Sequence, residues 1–153
     1  MGSKIAILAA ELAADPMGLG YAGMTDAEAA AALNAPASGT PLQHDVDVGA
    51  LERLLAAEGV LLALRDYAAN GADPTAQQAC REMLALFDSI NVDAFNIMHP
   101  RAQAGLDALQ AAGLITAAQR QAAEALAVTP RTRGEELGLG RVMPWQVELA
   151  RNF

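Results

Sequence analysis

The chain has 153 residues, a formal net charge of −8 and a pI of about 4.6. Apolar residues make up 53% and charged residues 18% of the sequence, a balance that is typical of a globular domain and excludes a disordered chain. An acidic protein repels nucleic-acid phosphates and anionic lipids, so neither is an expected partner. No apolar run approaches the roughly 20 residues that a membrane helix requires.

The composition also predicts the fold class. The sequence contains 36 alanines and 20 leucines, but only 18 valines, isoleucines and threonines together, and this bias favours helix over sheet. We predict an all-α protein with seven or eight short-to-medium helices in a compact bundle. The bundle could consist of two sub-bundles. Cys80, the single cysteine, has apolar neighbours at helical spacing and is expected to be a small core residue rather than a nucleophile.

The N-terminal part, residues 1–34, is predicted to be a helical pair. Its first helix covers residues 4–14 and ends before Pro16, because the residue that precedes a proline is pushed out of the α region. A glycine-rich stretch follows. Thr25 and Glu28 then have the spacing of a capping box, which starts the second helix.

Residues 35–46 are predicted to be a linker, since residues 35–43 contain two prolines, a glycine, a serine and a threonine. The remainder, residues 47–153, is expected to form the main helical domain. Its longest helical pattern covers residues 48–69 and is interrupted at Gly59.

Further helices are predicted to begin near Pro74, at Pro100 and after Thr116. Between the first two of these lies a segment, residues 90–98, without a clear helix or strand pattern. Three of its side chains are expected to fill core: Phe95, Ile97 and Met98.

The C-terminal stretch has the outline of a helix-turn-helix, with a short capped helix, a turn at Gly138–Gly140 and a last helix from about Pro144. A DNA-reading helix needs several polar or basic side chains facing the groove, whereas Trp145, Val147 and Leu149 are apolar. We therefore expect this corner to pack on the body of the protein or on a protein partner. The candidate interface residues are Trp145, Phe153, Arg133 and Arg141.

Two patterns suggest ligand binding, and both have a simpler interpretation. Residues 18–23 spell G-x-G-x-x-G, but a helix precedes them instead of the strand that a dinucleotide site requires, which favours a glycine turn between helices. His44, Asp45 and Asp47 are potential metal ligands, but their spacing fits neither an EF-hand nor a zinc site. Asp47 is better interpreted as the N-cap of the long helix, and His99 as a helix-entry residue.

The sequence predicts no catalytic, cofactor-binding or metal-binding residues. Its acidic side chains are scattered along predicted helix surfaces, and those in first turns are explained by capping and by the helix dipole. Catalysis needs a nucleophile or a positioned acid–base pair, and neither is evident. We therefore expect the chain not to be an enzyme.

Three segments carry a resemblance to a group of small tailed-bacteriophage proteins. They read ELAADPMGLGYAGMTD at residues 11–26, LDALQAAGLIT at residues 106–116 and RTRGEELGLGRV at residues 131–142. The group is characterised by DPxGxGYAGMxD near the N-terminus and (S/T)RxEELGLxxV near the C-terminus. The resemblance extends over most of the chain and is weakest over residues 36–46.

The resemblance implies a structural protein of a phage virion, best placed in the tail or baseplate and acting through protein–protein contacts. Its partners would be other virion proteins, in a homo- or hetero-oligomer, and its location the virion and, during assembly, the host cytoplasm. Two alternatives stay open. One is a non-virion phage factor, either an assembly chaperone or a helix-turn-helix regulator, and the other is a capsid or head–tail component.

Overall fold

A computed structural model of the chain describes residues 2–153. Within these residues the protein has nine helices and four two-residue strands, and 62% of it is helical. The all-α prediction is confirmed. Cys80 is buried, as expected, and its burial raises the pKa of the thiol.

The chain divides into two compact units. The terminal unit comprises the chain up to Leu42 together with Pro130–Phe153, and the central unit comprises Gln43–Thr129. This division differs from the predicted one, in which residues 1–34 stand apart from residues 47–153. Local patterns could not reveal it, because the terminal unit brings together two ends of the chain that are separated by about a hundred residues in sequence.

The terminal unit is built from the two ends of the chain. Its helices are α1 (Gly2–Ala14), α2 (Asp26–Asn34), α8 (Arg133–Glu136) and α9 (Pro144–Arg151), with a 3-10 turn at Tyr21–Gly23. Both α1 and α2 pack against α9, and α2 also packs against α8. The core contains Ile5, Leu8, Tyr21, Leu33, Val142 and Val147.

Capping boxes start two of these short helices, as predicted. Thr25 Oγ1 accepts from the Glu28 amide at 3.2 Å, while the Glu28 carboxylate accepts from the Thr25 amide at 2.7 Å. Thr132 and Glu135 repeat the arrangement at α8. Each cap satisfies amides that would otherwise lack partners, which matters most in short helices such as these, of nine and four residues.

The central unit contains five helices and, apart from Leu42 at its boundary, the short strands. The helices are α3 (Val48–Ala57), α4 (Val60–Asn70), α5 (Pro74–Asp88), α6 (Pro100–Ala111) and α7 (Ala117–Ala125). The strands are β1 (Leu42–Gln43), β2 (Val46–Asp47), β3 (Ala94–Phe95) and β4 (Val128–Thr129), paired as β1 with β4 and β2 with β3. Helix α5 packs between α4 and α6.

Gly59 divides the longest predicted helix into α3 and α4. Its φ of 72° lies in the left-handed region, which glycine adopts without steric cost and which a continuous helix cannot contain. Because α4 starts a new register after this break, the apolar face of α3 does not continue along it. Leu62, one of the leucines within the predicted 48–69 pattern, is 77% exposed.

Part of the segment between α5 and α6 contributes to the core. Ile97 is buried and Phe95 packs against the core of the central unit, whereas Met98 is half-exposed, so its predicted core position is wrong. The reason is the local turn, in which the Asn96 carboxamide oxygen accepts from the Met98 amide at 3.0 Å just before α6 begins. The predicted linker is also ordered in part, since Val46 is fully buried and pairs with Phe95.

Candidate functional site

The C-terminal end of the chain exposes an apolar stripe, which we define as Trp145 and Leu149 on helix α9 together with Phe153, two residues after the helix ends. Trp145 is 54% exposed and Phe153 75% exposed, and Leu149 is also exposed. The opposite face of the helix buries Val147 and Ala150 in the core of the terminal unit. Trp145 and Phe153 were selected from the sequence, but Leu149 was missed as an interface residue, although its i, i+4 spacing from Trp145 places the two on the same side of α9.

Arg133, by contrast, points into the terminal unit. Its Nη2 and Nε atoms donate to the two carboxylate oxygens of Glu11 at 2.6 and 2.8 Å, and the exposed fractions of the two side chains are only 12% and 3%. This bidentate geometry is the strongest form of a charge-assisted hydrogen bond. It holds the pKa of Arg133 above its usual value.

Two further groups complete this buried cluster. The Tyr21 hydroxyl donates to Glu11 Oε1 at 3.2 Å, and burial together with the nearby carboxylate raises the pKa of Tyr21. Arg133 Nη1 also donates to Glu136 at 2.7 Å. Sequence reasoning missed Glu11 as a partner, although an acid at i+3 from Leu8 on an apolar helix face was a signal that it is buried and paired.

The other C-terminal arginines are also engaged, with one exception. Arg131 donates to the Thr40 carbonyl and to Glu136, and Arg151 donates to Asp26 and to the carbonyls of Tyr21 and Met24. Arg141 is exposed and makes no ion pair within residues 2–153. Three of the four C-terminal arginines, Arg131, Arg133 and Arg151, therefore help to hold the terminal unit together.

The glycine-rich loop is a turn stabilised by the chain itself. The Asp15 carboxylate accepts from the amides of Leu19 and Gly20, both at 2.7 Å. The loop follows helix α1 and leads into a 3-10 turn. Since Asp15 already occupies amides that a phosphate would need, this geometry favours the turn interpretation over a dinucleotide site.

The histidines and the neighbouring acids have structural roles. His44 makes hydrogen bonds from its two ring nitrogens to the Asp45 carbonyl and to Thr129 Oγ1. Asp47 caps α3 by accepting from the Ala50 amide at 2.7 Å, and His99 caps α6 through Nδ1, which accepts from the Arg101 amide. Across residues 2–153 no group of three or more His, Cys, Asp or Glu side chains could hold a metal ion.

The capping role of Asp47 leads to a prediction. Asp47→Ala should lower the free energy of unfolding by about 1 kcal/mol, since it removes the acceptor for a first-turn amide. Asp47→Asn keeps an acceptor oxygen and should stay close to wild type. Urea unfolding of the three proteins measures this, and equal losses in both variants would mean that the charge matters more than the cap.

Glu136 leads to a second prediction, on pH dependence. Hydrogen bonds from the Thr40 amide and from Arg133 lower the pKa of Glu136 from 4.5 to about 2. The stabilisation is complete above pH 4.5, the pKa of the unfolded state, and is lost as the pH falls towards 2, because the folded state then has to bind a proton against these bonds. Glu136→Gln should therefore lose less stability than wild type between these pH values in a series of urea titrations. Glu148→Gln, an exposed matched control, should follow the wild-type curve.

The central unit has an open apolar groove between α5 and α6, with a volume of about 380 Å³. We call it the α5–α6 groove. Its wall is formed by Leu51, Met83, Leu86, Phe95, Ile97 and Leu106. On its rim lie His99 and an ion pair between Glu82 and Arg101, whose atoms are 3.0 Å apart. Gly105 lines the groove, and a Cβ at that position would meet no atom within 4 Å.

Comparisons with protein-family models, with curated proteins and with solved structures gave no significant match to this chain. Among the described residues, no helix combines the length and the apolar character needed to cross a bilayer. Functional inference therefore depends on the apolar stripe, the α5–α6 groove and the buried cluster.

Proposed function

We propose that this chain is a structural protein of a tailed-bacteriophage virion, a tail or baseplate component that acts through protein–protein contacts. The apolar stripe on α9 is the observation that carries the proposal. Large aromatic side chains are enriched at the energetic centres of protein interfaces, and here Trp145 lies exposed on α9, one helical turn from the exposed Leu149, with the exposed Phe153 two residues beyond the end of the helix.

The resemblance to small phage proteins supports the virion assignment, and the geometry explains the residues that carry it. Asp15 and Tyr21, from the first motif, and Arg133, from the last, all hold the terminal unit together. Their roles are architectural. They fix the helices on which α9 rests, and an interface helix benefits from such a rigid support because less entropy is lost on binding.

The ion pairs of the C-terminal arginines argue against a helix-turn-helix regulator. A DNA-binding corner needs several cations free to meet phosphates. Arg131, Arg133 and Arg151 are each bound to acidic side chains of the same unit. A gel-shift assay with DNA at low salt tests this directly. Stable DNA binding that Arg141→Ala abolishes would support the regulator instead.

Quantitative mass spectrometry of gradient-purified phage particles tests the proposal. We expect a reproducible copy number in a simple ratio to the tail-tube protein. A ratio that matches a three- or six-fold ring would favour the tail tip, whereas hundreds of copies would favour the capsid shell. Tails purified free of capsids provide the control for position, since a tail component stays with them. Absence from the particle would contradict the proposal.

A further inference from the structure

We propose that the apolar stripe of one copy of this chain binds in the α5–α6 groove of a second copy. The inference rests on the proposed function, because it names the contact through which the protein would assemble. Both surfaces belong to the same chain and both are open to solvent, one on α9 and the other between α5 and α6. One is convex and the other concave.

The dimensions agree. A closed apolar cavity of about 150 Å³ is enough to hold a benzene molecule. The α5–α6 groove has about 380 Å³, which accommodates an indole ring and one further apolar side chain. Trp145 and Leu149, one helical turn apart, supply such a pair. An amphipathic helix that lays anchors at i and i+4 into an apolar groove is a recurrent mode of recognition.

The charges beside the two surfaces are complementary. Glu148, next to Leu149 in sequence, is exposed and makes no ion pair within residues 2–153. The groove rim carries His99 and the Arg101 guanidinium, which is largely exposed and binds Glu82 through Nη2 alone, so that its Nε and Nη1 atoms have no partner within residues 2–153 and can bind a second carboxylate. Copies with a net charge of −8 repel one another, so a specific contact needs this kind of local attraction.

Such a contact is heterologous, since two different surfaces meet. Each copy then has one stripe and one groove free for the next copy, and repetition gives a closed ring or an open filament. A stripe that paired with another stripe would instead be isologous and would stop at a dimer.

Mixing two variants distinguishes these cases. The stripe variant, Trp145→Ser with Leu149→Ser, changes exposed side chains only. The groove variant, Gly105→Leu, fills the groove from a position where a Cβ meets no atom within 4 Å. In sedimentation velocity we expect wild type to form species larger than a dimer, and each variant alone to associate about thirty-fold more weakly. An equimolar mixture should form a one-to-one heterodimer, because each variant retains the surface that the other lacks.

Matched controls separate the contact from general stickiness. Leu62→Ser removes a more exposed apolar side chain from α4, outside the groove, and should assemble as wild type. Gly105→Ala adds one methyl group at the same helical position and should also assemble. Circular dichroism of every variant verifies that the helices are intact.

Three results would overturn the inference: a wild-type chain that stays monomeric, a Gly105→Leu variant that assembles normally, or a mixture without the heterodimer. A chain that is monomeric alone but present in particles would end the inference and leave the proposed function standing. A chain that assembles as described but is absent from particles would contradict the proposed function and leave the contact between copies standing.

Discussion

An Arg133→Met variant should lose about 3–5 kcal/mol of unfolding free energy in the terminal unit, because removal of one partner of a buried ion pair leaves the other charge without compensation. Among the donors within residues 2–153, Glu11, 3% exposed, would retain only the Tyr21 hydroxyl. The methionine preserves most of the volume and the apolar stem of arginine, so the loss reports on charge rather than on a cavity.

Urea unfolding followed by the fluorescence of Trp145, the single tryptophan, measures this loss within the terminal unit. Arg141→Met is the matched control and should stay within about 0.5 kcal/mol of wild type, since Arg141 is exposed. Adding Glu11→Met and Tyr21→Phe to Arg133→Met should restore much of the stability, because an apolar replacement of a buried ion pair is often nearly neutral and Glu136 keeps its bonds from Arg131 and from the Thr40 amide. A loss below about 1 kcal/mol in Arg133→Met would mean that solvent reaches the pair.

Local chemistry was sufficient to predict most of the helices. The capping boxes at Thr25 and Thr132 and the proline that opens α6 each act on backbone groups only a few residues away. The helix start that each one predicts therefore does not depend on the rest of the fold. The break at Gly59 is of the same kind, since its left-handed backbone needs no tertiary partner to favour glycine.

The candidate site was less predictable, because its determinants are distant in sequence. Arg133 looked like an interface residue while its charge had no evident partner, and Glu11, which neutralises it, lies 122 residues away. The boundaries of the two units were missed for the same reason. The α5–α6 groove could not be foreseen either, since it depends on how closely α5 and α6 approach, which no local pattern encodes.

The motif residues gain a common physical meaning from these contacts. Asp15 accepts from two amides of the first loop, Tyr21 joins that loop to Glu11, and Asp26 joins α2 to α9 by accepting from Arg151. Each contact joins segments that cannot bury an apolar face alone. A distinctive sequence can therefore specify a small scaffold without specifying a reaction, and the surface that this scaffold presents is the stripe on α9.

Gly134, in the last motif, gives the prediction with the clearest sign. Gly134→Ala should lower the free energy of unfolding by about 1–3 kcal/mol, the usual cost of overpacking. Helix propensity alone predicts the opposite, since alanine is favoured over glycine in a helix by about 1 kcal/mol. A Cβ at Gly134 would lie 2.5 Å from the Gly140 carbonyl oxygen and 3.3 Å from Val142 Cγ2, so the backbone of the turn would have to move.

Gly105→Ala, in α6, is the matched control, because its Cβ meets no atom within 4 Å and the substitution should stabilise the protein by about 0.5–1 kcal/mol. Urea unfolding followed by circular dichroism compares both variants with wild type. If the glycine-to-alanine substitution lowers the free energy of unfolding at Gly134 and raises it at Gly105, the clash with the Gly140 carbonyl outweighs helix propensity at Gly134. If both variants were more stable than wild type, the turn at Gly138–Gly140 would be able to move away from Gly134 without a loss of stability. The terminal unit would then not be the rigid support for α9 that we propose.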